Sequence, residues 1–296
     1  KIIMLLNRKI SILYFVNNIK WQILFVITFA LAVGFLHLRP EFKGIDIPLN
    51  ILTLLGTIVT ILLAFRTSQS YERWWEARTI WGAIVNDSRT LTRTVLQFLP
   101  ENESVEKKKF AERQIIFVNA LGETLRKVPL SPKVEAYVKF HNINAVNLPN
   151  ALLDEHSHQI GQLKTEGKIS DFQQLQLNDI VSRLCDSMGK CERIKNTVFP
   201  RSYSLILHIL IYAFTAILPF SLNHNQFVTE IAISIIIPLL FIAVEKTAII
   251  MQDPFENSPV DTPMTSIAQT IEINILQMMG EKDVPAKEDK GLYYEM

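Results

Sequence analysis

Apolar residues crowd into four stretches of the chain, and the polar residues fall mostly between them. The first stretch is 21–38, WQILFVITFALAVGFLHL, bounded by Lys20 and by Arg39-Pro40. The second is 47–65, with Pro48 near a helix start, where its missing N–H costs nothing. The third is 205–222, LILHILIYAFTAILPFSL, and the fourth is 227–250, interrupted by Pro238 and by Glu245-Lys246. A membrane span needs about 20 predominantly apolar residues at 1.5 Å rise each, and all four come close. The second stretch does not stop at its polar end. In GTIVTILLAFRTSQSYERWWEAR, residues 56–78, it turns without a break into a charged, Trp-rich helix. One helix that leaves the membrane and continues suits a conduit better than a tether.

The polar segments carry helical spacing as well. Trp74, Trp75, Arg78, Trp81, Ile84, Val85, Ser88 and Leu91 recur at three- and four-residue steps until Pro100-Glu101-Asn102. Further helices are predicted from 104 to 121 or beyond, at 151–166 and at 170–197. Loops are predicted around 130–132 and over 141–150, HNINAVNLPN. No alternating pattern lasts the length of a strand, so the chain is expected to be an all-α membrane protein. No Gly/Ser linker or internal repeat divides it, so 1–296 reads as a single domain, with cytoplasmic helices at 66–200 and 254–296. The tail 283–296 is short and charged and is expected to be mobile.

Charge fixes an expected orientation. Lys1, Arg8, Lys9 and Lys20 precede the first span, and Arg66, Arg73 and Arg78 follow the second. The connection 39–46 is charge-balanced, and 221–226 holds only His224 as a titratable group. The positive-inside bias therefore places both termini and the segment 66–201 in the cytoplasm of a cell inner (plasma) membrane protein. The first span is too long, and lacks a small-residue cleavage site, to be a removed signal peptide.

Composition excludes more than it proposes. The 296 residues are 49% apolar, and Lys+Arg 30 against Asp+Glu 29 gives a net charge of +1. That balance gives no basic face for nucleic acid. No phosphate loop, zinc ligand set or nucleophile elbow occurs, so no cofactor, metal or catalytic residue is expected. Cys185 and Cys191 lie six apart, which is neither a CxxC nor a disulfide framework, and they read as reduced thiols. The polar residues within the spans, among them His37, Thr60, His208 and Thr215, are scattered, and an enzyme is the least favoured reading. Pro219 and Pro238 read as kinks in packed helices. Glu245 and Lys246 lie near the cytoplasmic end of the fourth span, as a snorkelling or structurally paired couple.

Three motifs in order complete the pattern: the 56–78 segment, GKCERIKNTVFPRSYS at 189–204, and QDPFENSPVDTPMTSIAQTIEINILQMMGE at 252–281. Together with the four spans they resemble the bestrophin family, in its bacterial branch. The resemblance implies a homopentameric ion channel, surrounded by membrane lipids, with one pore on the five-fold axis. Aligning Arg73-Trp74-Trp75 with the family motif places the pore neck at Thr57, Ile61 and Phe65, four apart and so on one helical face. Narrow apolar rings gate by dewetting and bind no ion tightly. Animal members conduct chloride with aromatics at two neck positions, whereas here only Phe65 is aromatic. The resemblance therefore implies passive flux of monovalent ions, leaning to cations such as sodium, with an anion channel as the alternative and a non-conducting membrane adaptor as a second one. The acidic calcium clasp of animal members corresponds to residues 256–261, where two carboxylates flank a proline. No such clasp is expected, and the acids are assigned to capping a helix that begins near Pro263. The cytoplasmic constriction of the family is expected at Leu175, Leu177 or Ile180.

Overall fold

The structure is a computed structural model that describes residues 16–39, 41, 47–222, 227–258 and 260–286. Lys1, Arg8 and Lys9, Pro40, most of the first connection, His224, Pro259 and the last ten residues of the tail lie outside the described residues. Among those described, the elements are helical: α1 (Lys20–His37), α2 (Leu49–Phe98), α3 (Ser104–Arg126), α4 (Pro132–Phe140), α5 (Leu148–Thr165), α6 (Asp171–Asn196), α7 (Arg201–Ile217), α8 (Phe227–Met251) and α9 (Met264–Met278). Two compact units result. The first comprises Lys1–Arg73 and Val198–Gln252, the second Trp74–Thr197 and Asp253–Met296.

Among the described residues four helices are long and apolar enough to cross a membrane: α1, α2, α7 with the 3-10 turn Leu218–Ser221 that follows it, and α8. They match the four apolar stretches to within a few residues. α2 runs for 50 residues without a proline, so its backbone ladder passes unbroken from Thr57 to the Trp-rich segment. Its stop comes at Leu99 and Pro100, where Pro disfavours helical geometry in the residue before it. Pro219 ends α7 and passes the chain into the 3-10 turn, whereas Pro238 is carried inside α8.

In the first unit α8 packs on both α1 and α7. Val26 of α1, Val59 and Leu63 of α2, Leu207 and Ile211 of α7 and Ile242 of α8 share one buried cluster. Gly34 marks the close approach of α1 to α8, since a Cβ there would lie 2.9 Å from Ile231 Cγ1. Small residues let membrane helices come close enough for dispersion to hold them.

The second unit has a water-soluble pattern. α3 is its hub, touching α4, α5, α6 and α9. Its residues Phe117, Val118, Ala120 and Leu121 are fully buried, together with Trp81 and Ile84 of α2, Leu152 and Ile160 of α5, and Leu184 of α6. The start of α6 is closed by a capping box between Ser170 and Gln173, and Asn147 caps α5 by accepting the Asn150 N–H at 3.1 Å. α4 begins at the end of the loop expected over 130–132 and fills a stretch for which no element was predicted. Its signal is short, a Pro at the first turn and a single buried residue, Val134. It gains its stability by packing on α3 rather than from its own pattern.

Candidate ion pathway

The membrane part of α2 has a buried side and an open side. Leu52, Val59, Leu63 and Arg66 are buried, whereas Leu54, Thr57, Ile61 and Phe65 are exposed. Ile61 is 63% and Phe65 55% accessible, and Leu54, one turn before Thr57, is 64%. The three predicted neck residues therefore share a face that no other part of the described chain covers. Thr57 donates its hydroxyl proton to the Thr53 carbonyl at 2.8 Å. What Thr57 leaves toward the open side is a methyl group and acceptor lone pairs, with no free donor.

Behind that face sits a charged cluster that sequence reading only half located. Arg66 Nη1 donates to Glu245 Oε1 at 3.0 Å, with the two side chains 3% and 5% exposed. The guanidinium stacks over Phe199 at 5.4 Å. His208 Nε2 lies 3.5 Å from the same carboxylate oxygen, and its Nδ1 is 3.0 Å from the Ser204 carbonyl. Tyr203 donates to the Leu62 carbonyl at 2.6 Å and its ring stands 5.9 Å from Phe65. Glu245 is thus a buried, paired group and does not snorkel. Of the two charges, Lys246 stays partly accessible. A second pair was missed altogether: His37 Nδ1 and Glu230 Oε1 meet at 2.6 Å, with both side chains 2% exposed. Glu230 stands in an otherwise apolar turn, and an ionisable residue inside a span is the signal that finds such a pair.

The three constriction candidates separate cleanly. Leu177 and Ile180 are 1% and 2% exposed and belong to the core of the second unit, so neither reaches an opening. Leu175 is 66% exposed. Phe172, one turn earlier on α6, is 84% exposed and was not singled out from the sequence. Leu177 and Ile180 continue the apolar stripe of α6, and that periodicity signalled packing rather than lining.

The segment after α8 is closed by its own contacts. Lys195 Nζ meets Asp253 Oδ2 at 2.6 Å, and Asp253 Oδ1 accepts the Phe255 N–H at 3.1 Å. Asp261 accepts from the Ser258 N–H at 2.8 Å and from the Ser258 hydroxyl at 2.5 Å. Burial pushes the Asp261 carboxyl above its usual range against those hydrogen bonds. Trp74 Nε1 donates to the Val260 carbonyl at 2.6 Å. Asp261 closes its own turn and does not cap α9, whose N-cap is Pro263 without a side-chain hydrogen bond. Among the described residues no group of three or more His, Cys, Asp or Glu is arranged to hold a metal ion. Cys185 is exposed and Cys191 buried, both free.

The sequence profile described as Bacterial/Fungal Bestrophin protein matches residues 4–277. The chain belongs to this family. As a bestrophin it is a membrane ion channel and not an enzyme, which sets aside the adaptor reading. It is 34% identical over 284 residues to the voltage-dependent anion channel-forming protein YneE of Escherichia coli K12, covering 95% of this chain and 93% of that one. It is 29% identical over 235 residues to the similarly named RSc3414 of Ralstonia nicotianae, covering 77% and 76%. Among solved structures, a point variant of a bacterial bestrophin homolog from Klebsiella pneumoniae superposes with a TM-score of 0.81 at 28% identity, over 88% of this chain and 99% of that one.

Proposed function

We propose that five copies of this bestrophin surround one pore, with both termini cytoplasmic, and pass monovalent cations, sodium among them, down their gradient through an apolar neck of Thr57, Ile61 and Phe65. The observation that carries the reading is the open face of α2, where those side chains lie exposed at four-residue steps. A single subunit in lipid has no need to align three such residues opposite a buried Arg66–Glu245 pair. Five copies would give stacked apolar rings that dewet on slight contraction. A separate cytoplasmic narrowing falls to Leu175, with Phe172 beside it.

The cation preference follows from what the neck offers. Thr57 presents only acceptor lone pairs, and Ile61 presents alkyl surface, so neither supplies the donor that an anion needs on losing water. Calcium does not gate the channel through the segment after α8: Ser258 already occupies Asp261 and Lys195 the neighbouring Asp253, which leaves Glu256 without the six to eight oxygens that calcium takes. A second reading, an anion channel, is favoured by the printed names of the Escherichia coli and Ralstonia relatives and by Phe65, whose electropositive ring edge suits anions.

Reversal potentials of the purified protein in planar bilayers under a sodium chloride gradient decide between them. A value near the sodium equilibrium potential is expected, and one near the chloride potential replaces the cation reading with the anion one. Ile61→Phe is expected to shift permeability toward anions; an unchanged potential and conductance removes Ile61 from the neck.

A further inference from the structure

We infer that Glu72 determines ion selectivity, as a ring of carboxylates at the cytoplasmic lip of the neck. The inference rests on the reading that the open face of α2 lines the pathway, and it names the residue that sets charge preference there.

Only two residues charged at neutral pH occur on α2 between Leu49 and Glu72, namely Arg66 and Glu72 itself. Arg66 is buried and neutralised by Glu245. Glu72 is exposed, and no Lys, Arg or His pairs with it among the described residues. It is therefore the first uncompensated charge beyond the apolar rings. Seven residues at 3.6 per turn bring it to within ~20° of Phe65 on the same face, ~10 Å further along the axis.

The side chain is also held. Ser68 donates its hydroxyl to Glu72 Oε1 at 3.3 Å and Gln69 donates its amide to Oε2 at 3.2 Å. Both donors lie on the preceding turn, so the carboxylate is folded back toward Phe65, the direction that helical side chains favour. Neither donor is charged, so the negative charge is positioned without being cancelled. A ring of such groups enriches cations and depletes anions at the entrance to a neck that has no charge of its own. Acting across about one Debye length at physiological salt, ~8 Å, its influence must weaken as salt rises.

The test is the sodium-to-chloride permeability ratio of the full-length channel in planar bilayers, read from reversal potentials at about 30 mM and about 1 M salt, where the Debye length contracts several-fold. Wild type is expected to be cation-preferring, with a ratio that falls as salt rises. Glu72→Gln is expected to lower the low-salt ratio ~3-fold or more and to flatten the salt dependence. Glu72→Asp keeps both features, and Glu72→Lys moves the ratio further toward chloride. A Glu72→Gln channel with wild-type potentials at low salt overturns the inference. So does a wild-type ratio that is cation-preferring yet flat across the salt series, a result that needs no variant to fold. A wild type reversing at the chloride potential is a different failure, since it removes the cation reading on which the inference stands.

Discussion

The two units solve the same packing problem with opposite placements of polarity. In the first unit only 22–33% of the most apolar stretch of each span is buried, and residues such as Trp21, Leu24, Phe35 and Leu240 face outward. Its buried ionisable residues meet across helices as His37–Glu230 and Arg66–Glu245. In the second unit most large apolar residues lie inside, with Phe172 and Leu175 among the exceptions, and ion pairs such as Lys139–Glu135 and Lys108–Glu112 lie outside. There the buried Arg113 is met by neutral groups, Gln159 Oε1 at 2.8 Å and His156 Nδ1 at 3.3 Å. The difference follows from the surroundings. Lipid is as apolar as leucine, so burying leucine gains little, and helices in the membrane are held by close packing and by polar contacts. In water the apolar surface removed from solvent supplies the driving force.

That contrast can be broken experimentally, and the first unit offers the largest effect. Glu245→Ala leaves Arg66 charged and unpaired in a dry site, which is expected to cost about 3–5 kcal/mol. Thermal unfolding of the solubilised protein checks it. The double variant Arg66→Met with Glu245→Leu should recover much of the loss, and a harmless single variant would show that the pair does not hold the unit. Next comes one substitution made in both units. Leu152→Ala, fully buried in the second, is expected to cost about 2–5 kcal/mol, while Leu54→Ala on the open face of α2 should leave the midpoint nearly unchanged. Equal losses would erase the distinction.

A smaller effect is expected from pH. Complete burial, aided by the nearby Arg113 charge, holds His156 well below the ordinary imidazole range. The unfolded chain binds that proton below about pH 6.5 and the folded chain does not, so stability falls as pH drops through that value. The unfolding midpoint of wild type should decline between about pH 7.5 and 5.5, and His156→Phe should lessen the decline. The smallest effect is assigned to Lys139→Ala, which breaks an exposed pair within α4 and should not move the midpoint measurably.

The spans were legible because lipid imposes a length, and α2 was legible as one helix because nothing between Phe65 and Leu99 breaks its period. The neck expected at Thr57, Ile61 and Phe65 rested on a motif, Arg73-Trp74-Trp75, and no hydropathy pattern distinguishes those residues from their neighbours. Pairings across the fold were not legible. Glu245 invited a partner, but Arg66 lies far from it in sequence, and Glu230 looked like one acid in a run of isoleucines. Leu175, Leu177 and Ile180 show the limit within one helix, since small differences in phase decide between core and surface. Asp261 shows the same for loops, where a local turn with Ser258 took the carboxylate that sequence spacing had assigned to a helix end.

The two acids of α8 carry a consequence for biosynthesis. Glu230 and Glu245 both lie on the buried side of one helix, with Ser234, Pro238 and Ile242 between them. His37 and Arg66, their partners, are translated long before, and the Trp74–Thr197 part of the second unit is made in the interval. The early spans must therefore wait in the bilayer as an incomplete assembly with a cation at one seam. When α8 inserts it delivers both counter-groups in a single event, so the last span made is the one that locks the earlier ones. A chain truncated before residue 227 should stay a substrate for membrane quality control, however well its first two spans insert.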